Sequence, residues 1–278
     1  MKLSVITINY NNRDGLRKTV ESVINQTSTQ YEYIVIDGGS TDGSVDVIKE
    51  YTDKIDYWVS EPDKGIYNAM NKGIAVAKGE YCIFLNSGDW FYDNKILSLI
   101  FPHLDGTDVV AGHLKLDTDG IWYAPEEVTM SMLYGGKTLS HPATFIKTSL
   151  LKRYYYDESY KIVSDWKFFI QIFIYDNASY KPINLIISMF DTNGISSTNK
   201  NLCTDETFCV LKNDFNHRVY DYYLSHSIDD DGRLYNIIRQ TKYRKIVYSF
   251  IVVIFKFIMI FKRNSWIHGF PLNLHNKR

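Results

Sequence analysis

Acidic and small polar side chains follow strand-like apolar runs of this sequence without any polar spacer. Asp37 comes directly after such a run and opens the stretch DGGSTDGS, in which Gly39 and Ser40 stand close behind it. A carboxylate at the end of a buried strand can accept hydrogen bonds from the ring or ribose of a nucleotide, and glycines let the backbone approach that ligand. The same residues could instead form a turn and a helix cap. This stretch alone leaves both interpretations open.

The second cluster is the tetrapeptide NSGD, residues 86–89, which ends the apolar run YCIFL. An ionised Asp89 at the end of a buried strand is costly unless a cation or several donors meet it. A Mg²⁺ or Mn²⁺ ion held jointly by Asp89 and the phosphates of a substrate would meet that need, because such ions take one or two protein carboxylates. Alternatively, Asp89 caps the following helix or shapes a glycine turn.

Two lysines and a third aspartate extend the set. Lys64 and Lys72 lie near the start of a predicted helix in PDKGIYNAMNKG, whose free N–H groups and dipole favour an anion such as a diphosphate. Either lysine could instead be a solvated surface charge. Asp165 stands beside Trp166 at the start of SDWKFFIQIFIY. It is either a first-turn residue favoured by the helix dipole or a general base beside an aromatic platform for a sugar ring.

These clusters need elements that bring them to one place. Strand-like runs alternate with helical periodicity four times in about the first hundred residues, beginning with LSVITI and GLRKTVESVINQ. The pattern predicts an α/β fold with a doubly wound, mostly parallel sheet and helices on both faces. Ligands of such sheets bind at the carboxyl ends of the strands, where all of the polar clusters fall. No GxGxxG or GxxxxGK motif is present, so neither a Rossmann dinucleotide site nor a P-loop is indicated.

Composition excludes some partners. Lys and Arg number 31 against 32 Asp and Glu, so the strongly basic surface of a nucleic-acid-binding domain is not expected. Cys82, Cys203 and Cys209 have no metal-binding spacing and are interpreted as reduced thiols of a cytoplasmic protein. The first residues, MKLSVITINY, enter a strand directly and lack the features of a signal peptide.

The chain divides into three predicted regions. A first half at 1–106 contains the candidate nucleotide site and precedes a substrate-facing half at 107–203, which opens with a further pair of strands within 107–125. Residues 204–278 are predicted to form a C-terminal helical region with the apolar segment 242–266. Within it, the stretch between Lys245 and Lys262 has only 16 residues and is broken by Lys256, which is short for a spanning helix, so we expect the segment to lie at the inner face of a membrane. The alternative is a buried C-terminal helix or an oligomer contact.

Six blocks in this order, SVITINYNN, VIDGGSTDGS, PDKGIYNAMNKG, FLNSGD, SHPATF and SDW, resemble the family 2 glycosyltransferases, which have the GT-A fold. The resemblance spans about residues 2–200. It is most like bacterial enzymes of exopolysaccharide, capsule and O-antigen assembly, including the colanic acid branch. The resemblance implies a nucleotide-sugar donor such as a UDP-sugar, a hydroxyl acceptor on a glycan or polyprenyl-linked oligosaccharide, a Mg²⁺ or Mn²⁺ cofactor, and transfer with inversion.

The resemblance also implies roles for individual residues. The nucleotide-sugar site would be formed by Ile8, Asn9, Tyr10, Asp37, Gly39, Ser40, Lys64, Lys72, Asn86, Ser87 and Asp89. Asp165 would be the catalytic base, Asp89 would also hold the metal, and His141 and Trp166 would face the acceptor or the donor sugar.

Several positions depart from the pattern of this family. The DxD block commonly has Asp where this chain has Asn86 and Gly88, which leaves Asp89 as its only carboxylate. Ser164 stands where the first acidic residue of the ED motif is usual, and Met70 where an Arg is common. One acidic ligand, two phosphate oxygens and waters can still complete an octahedral Mg²⁺ or Mn²⁺ site.

Two other functions stay open. A nucleotidyltransferase that makes the activated sugar would share the architecture, although its glycine and Arg/Lys-rich loop is poorly matched by NYNNRDG. A catalytically silent subunit of a membrane glycan-assembly complex is the second, and the presence of Asp37, Asp89 and Asp165 speaks against it. A retaining hydrolase would need a pair of carboxylates that nothing in the sequence specifies.

Overall fold

The computed structural model describes residues 2–118, 120–134, 138–192 and 199–214, within which nine strands form one sheet. The strands are β1 (Leu3–Asn9), β2 (Tyr31–Asp37), β3 (Tyr57–Ser60), β4 (Tyr81–Phe84), β5 (Trp90–Phe91), β6 (Val109–Leu116), β7 (Gly120–Trp122), β8 (Thr144–Lys147) and β9 (Tyr180–Phe190). The α-helices are α1 (Arg13–Ile24), α2 (Ser44–Glu50), α3 (Ile66–Val76), α4 (Ile96–Ile100), α5 (Met130–Tyr134), α6 (Thr148–Tyr154), α7 (Ser164–Ile170) and α8 (Lys200–Asp214). Short 3-10 turns lie at Thr52–Lys54, Phe101–His103 and His141–Ala143, and a π-helical turn at Gln171–Tyr175 continues α7.

The first four strands of the sheet are parallel and lie in the order β3-β2-β1-β4. Every residue of β1 is buried, because helices cover both of its faces. Leu3 and Val5 share a core cluster with residues of α1 and α2. On the opposite face α3 comes so close that a Cβ on Gly73 would lie 2.5 Å from Ile6 Cγ2. This part is the doubly wound parallel arrangement that the periodicity predicts.

The second part of the sheet is mixed. β8 pairs antiparallel with β4 and β6, and the order continues through β9 to β5. β6 is parallel to β9 and antiparallel to β7. The two strands predicted within residues 107–125 are β6 and β7. They are antiparallel because the connection between them is short, whereas a parallel pair needs a long crossover.

Strand register brings the polar clusters to one edge. Asn9 pairs with Asp37, and Asp37 pairs with Ser60, so the carboxyl ends of β1, β2 and β3 lie side by side. Ser87 N donates to Ile8 O at 3.0 Å, which places the NSGD turn after β4 at the same edge.

Helix α8 ends the described part of the chain, and the predicted boundary between residues 203 and 204 falls within this helix. Across the described residues, no helix combines the length and the apolarity that crossing a bilayer requires. The predicted membrane-interface segment 242–266 lies outside the residues that the structure describes.

Candidate active site

Asp37 is the centre of a hydrogen-bond cluster between the ends of β1, β2 and β3. Its buried carboxylate accepts at Oδ1 from Asn9 Nδ2 at 2.7 Å and Ser40 Oγ at 2.6 Å. Oδ2 accepts from Ser60 Oγ at 2.6 Å and from the backbone N–H groups of Ser40 at 2.9 Å and Gly39 at 3.2 Å. Burial by itself raises the pKa of Asp37, but these hydrogen bonds outweigh it and leave the pKa below its ordinary value. Because the donors fill the roughly four lone-pair directions of a carboxylate, a nucleobase N–H would have to displace one of them.

The loop after β1 combines an exposed ring with a buried amide. Tyr10 is 66% exposed, whereas Ile8 and Asn9 are buried. Asn9 Oδ1 has no hydrogen-bond partner among the described residues. Ser40 Oγ ties this loop to the Asp37 cluster by accepting from Asn11 N at 2.7 Å. The loop therefore offers the exposed ring face of Tyr10 to a planar ligand, and the predicted nucleobase contacts stay predictions.

The NSGD turn is held in place by α1. Asn12 Nδ2 donates to Ser87 O at 2.9 Å. Thr19 Oγ1 donates to Asp89 O at 2.6 Å and accepts from Gly88 N at 3.0 Å. These bonds fix the backbone of the turn from the side of the helix.

Asp89 has a second carboxylate beside it, which corrects the expectation that it is the only one at this turn. The Asp89 side chain is 3% exposed, and its Oδ1 accepts from the backbone N–H of Asp191 at 3.1 Å. The pKa of Asp89 is raised to about 7, chiefly by burial; nearby His141 acts to lower it, and the charge of Asp191 adds to the rise. Asp191 follows β9, 102 residues after Asp89, and no sequence pattern pointed to it.

Asp165 lies in the first turn of α7 and is joined to the NSGD turn through His141. His141 Nδ1 faces Asp165 Oδ2 at 3.6 Å, and Asn86 Nδ2 donates to His141 Nε2 at 3.1 Å. Proton placement on Nδ1 satisfies both contacts. Asp165 Oδ1 accepts from Trp166 N at 2.9 Å and lies 3.1 Å from the Tyr67 hydroxyl. Oδ2 is therefore the oxygen that can take up a proton, and the side chain retains 14% exposure.

Two groups far apart in the sequence hold the loop that leads to Asp165, and sequence reasoning missed both. Glu206 of α8 is 9% exposed and accepts from the backbone N–H groups of residues 161–163 at 2.8, 2.9 and 3.3 Å. From the other side, the Tyr67 hydroxyl donates to Ile162 O at 2.5 Å. Neither a glutamate in a polar helix nor a tyrosine within PDKGIYNAMNKG forms a recognisable signal for this role.

Three predicted site residues make other contacts. Lys72 Nζ pairs with Glu61 Oε1 at 2.8 Å; the backbone N–H of Lys64, not its exposed ammonium group, donates to Asn68 Oδ1 at 3.2 Å. Trp166 is 3% exposed, and its Nε1 donates to the backbone of helix α5 at 2.7 Å. This corrects the expectation that Trp166 faces a sugar, because a buried ring has no free face on which a sugar can stack.

The turn offers oxygen ligands to a divalent cation. They are the carboxylates of Asp89 and Asp191 and the buried Asn86 Oδ1, which has no hydrogen-bond partner in the described part of the chain. Within the same residues, no group of three or more His, Cys, Asp or Glu side chains is arranged to hold a metal. Mg²⁺ and Mn²⁺ prefer oxygen ligands and need only one or two carboxylates when substrate phosphates complete the shell. The residues therefore fit a cation shared with a phosphate ligand.

Comparison with models of known protein families identifies the family of this chain. The model of glycosyl transferase family 2 matches residues 4–152, more than half of the 278 residues. The chain belongs to glycosyl transferase family 2. The matched region runs from β1 into α6 and contains the Asp37 cluster, the NSGD turn and His141.

A protein of similar sequence and solved structures of similar fold are consistent with this family. An uncharacterized glycosyltransferase of Mycobacterium tuberculosis is 34% identical to this glycosyltransferase over 203 residues, which are 70% of this chain and 77% of the relative. S. aureus TarS 1-349 in complex with UDP-GlcNAc matches with a TM-score of 0.64 and 22% identity, covering 81% of this chain and 71% of that one. Mannosyltransferase PcManGT from Pyrobaculum calidifontis, in complex with GDP-Man and Mn²⁺, matches with a TM-score of 0.60 and 12% identity, covering 91% and 80%. The predicted GT-A fold is thereby confirmed.

Proposed function

We propose that this glycosyltransferase transfers a sugar, with inversion, from a UDP-sugar to a hydroxyl of a glycan or polyprenyl-linked oligosaccharide during assembly of a bacterial surface polysaccharide. The supporting observation is the contact chain from Asp165 through His141 to Asn86, which joins a candidate base to the turn expected to bind the diphosphate. TarS and PcManGT, which share the fold, were solved with nucleotide sugars, and this supports a donor of the same class.

In the proposed reaction, the acceptor oxygen forms a bond to the anomeric carbon while the bond from that carbon to the diphosphate breaks. Asp165 Oδ2 accepts the proton of the acceptor hydroxyl, and the electron pair of the broken bond leaves with UDP. The backbone N–H of Trp166 donates to the other carboxylate oxygen, which helps Oδ2 to keep its orientation. A single displacement from the opposite side inverts the anomeric configuration.

A divalent cation, when bound, offsets the negative charge that grows on the departing diphosphate. Asp89, Asp191 and Asn86 would hold it, and either Mg²⁺ or Mn²⁺ suits these oxygens. We assign the nucleobase to the exposed Tyr10 ring and the adjoining Asp37 loop. His141 is assigned to the acceptor or the donor sugar.

Both alternative functions lose support. Membership of a glycosyltransferase family argues against a nucleotidyltransferase. A silent subunit would have no need for a carboxylate whose second oxygen is left accessible while the first is held by a backbone N–H, as in Asp165.

The variant Asp165→Asn tests the base. Asn cannot accept the proton, so UDP release in the presence of acceptor should fall about 10²–10⁴-fold while UDP affinity stays unchanged. The control is Asp53→Asn, which changes the same charge at a side chain that is 73% exposed before β3, at the amino edge of the sheet. Undiminished turnover in the Asp165→Asn protein would show that the base is assigned wrongly.

The donor is identified by thermal unfolding of the wild type with a panel of UDP- and GDP-sugars, with and without Mn²⁺. A donor that binds the folded state raises the unfolding temperature by mass action. We expect the largest rise from a UDP-sugar. A larger rise from a GDP-sugar would replace uridine by guanosine in the proposal.

We also propose that segment 242–266 binds the inner face of the membrane, where a polyprenyl-linked acceptor would be located. The support is the near-continuous apolar sequence flanked by Lys and Arg. Removal of residues 242–278 should shift the protein from the membrane fraction to the supernatant. A truncated protein that still sediments with membranes would refute this role.

A further inference from the structure

Gly88 stands where family 2 glycosyltransferases commonly carry an aspartate, and its backbone does not suit a side chain. Its φ is +108°, a conformation that favours glycine. A Cβ on Gly88 would lie 2.9 Å from Asp191 Oδ2 and 3.3 Å from Asp191 Cβ. The space into which a side chain at position 88 would point is therefore occupied by the Asp191 carboxylate.

Hydrogen bonds on both sides of Asp191 hold it at this place. Its own N–H donates to Asp89 Oδ1 at 3.1 Å. Thr192 Oγ1 donates to Asp117 Oδ1 at 2.8 Å, and Asp117 N donates to Phe190 O at 3.2 Å. The turn after β6 therefore fixes the residue before and the residue after Asp191. The carboxylate is thus built into the edge of the NSGD turn.

Asn86 gives an independent indication of a ligand. Its Nδ2 is used by His141 Nε2 at 3.1 Å, whereas its Oδ1 is buried and has no hydrogen-bond partner among the residues described. A buried amide oxygen without a donor is costly, and a cation would remove that cost. Together with the carboxylates of Asp89 and Asp191, the turn presents the oxygen ligands that a hard divalent cation takes.

We propose that Asp191 replaces the aspartate missing at position 88 and supplies the second carboxylate for a divalent cation bound together with the diphosphate of the donor. The inference rests on the proposed function, because it takes a nucleoside diphosphate as the other ligand of the cation. Asp191 is half-buried and Asp89 is almost fully buried, so Asp191 is the more accessible of the two carboxylates. The NSGD turn itself lacks the DxD pattern, yet the fold contains two acidic groups at this turn.

Mn²⁺ binding to the full-length protein tests the proposal, with free Mn²⁺ measured by electron paramagnetic resonance at saturating UDP. Asp191→Asn removes the charge but keeps the size of the side chain and the N–H that bonds to Asp89. We expect Mn²⁺ affinity to fall at least about tenfold, the range seen when groups supporting a metal are removed. Asp191→Glu keeps the charge on a longer side chain and should lose less. Asp53→Asn is the matched control and should bind Mn²⁺ like the wild type.

The outcomes separate this inference from the proposed function. Equal Mn²⁺ affinity of the Asp191→Asn and Asp53→Asn proteins overturns the role of Asp191 and leaves sugar transfer untouched. The role of Asp191 is also overturned if the wild type binds UDP equally well in Mn²⁺ and in a metal chelator. If the wild type binds neither UDP nor GDP, the proposed function itself is refuted. Thermal unfolding without Mn²⁺ reports on folding. If Asp191→Asn does not fold, Asp191→Ser, which also lacks the carboxylate, is measured in its place, and unchanged Mn²⁺ affinity of that protein refutes the proposal.

Discussion

Removal of the Glu206 carboxylate should loosen the loop that leads to Asp165, the proposed catalytic base. In Glu206→Ala the N–H groups of residues 161–163 lose their acceptor. Lys161 is exposed, so its N–H can return to water, whereas Ile162 and Val163 are buried. An unsatisfied buried N–H costs about 1–3 kcal/mol. Two such groups are affected, and the one of Val163 should cost less because its bond is longer, so we expect a loss of about 2–4 kcal/mol in the free energy of unfolding.

Urea titration of the full-length protein measures this loss, and thermal unfolding should shift down by about 5–15 °C. Glu50→Ala is the matched control, because Glu50 also accepts two N–H groups, from Arg17 at 2.7 and 2.9 Å, but its side chain is 51% exposed. Such an exposed pair contributes about 1 kcal/mol or less.

The same variant should lower kcat while the KM for the donor stays unchanged, because the loop positions Asp165 and does not contact the nucleotide in this proposal. A Glu206→Ala protein that is as stable as Glu50→Ala would refute the reasoning. So would a Glu206→Ala protein with unaltered kcat.

Three further outcomes are expected. Hydrogen bonds lower the pKa of Asp37, so its ionised form stabilises the fold at neutral pH, and this stability is lost as pH falls through the pKa of the folded state. Asp37→Asn should therefore lower the free energy of unfolding at neutral pH, and this free energy should fall less steeply with decreasing pH than that of the wild type. Urea titrations at several pH values measure it; the same pH dependence in both proteins would contradict this. Gly88→Ala should lower the free energy of unfolding by about 1–3 kcal/mol, because the new methyl group would contact Asp191 and because alanine is strained at a positive φ. A urea midpoint equal to that of the wild type would argue against this. Tyr67→Phe should lower kcat without changing UDP affinity, since the lost hydroxyl lies 3.1 Å from Asp165; steady-state kinetics and a UDP titration check this, and an unchanged kcat would be the contrary result.

The two readings of Asp165 and of Asp37 that the sequence left open do not exclude each other. Asp165 lies in the first turn of α7, as a dipole-favoured residue does, and it also faces His141. Asp37 shapes its turn through bonds to Gly39 and Ser40, and the same cluster lies at the edge where a ligand is expected. A motif can predict where a residue lies in the fold without predicting which residues it contacts.

Sequence alone determined the α/β class, the carboxyl-edge location of the polar clusters and the resemblance to family 2 glycosyltransferases. These properties follow from local periodicity and from short contiguous blocks, which one strand or turn encodes by itself. Only the tertiary structure decided that Trp166 is buried, that Glu206 holds the loop before Asp165, and that Asp191 stands beside Gly88. Each of these contacts joins residues far apart in the chain and depends on tertiary packing: Trp166 packs on α5, Glu206 of α8 meets residues 161–163, and the end of β9 lies beside the NSGD turn. Asp191 shows the reason most clearly: strand register and side-chain packing bring a carboxylate to a turn whose own sequence lacks it.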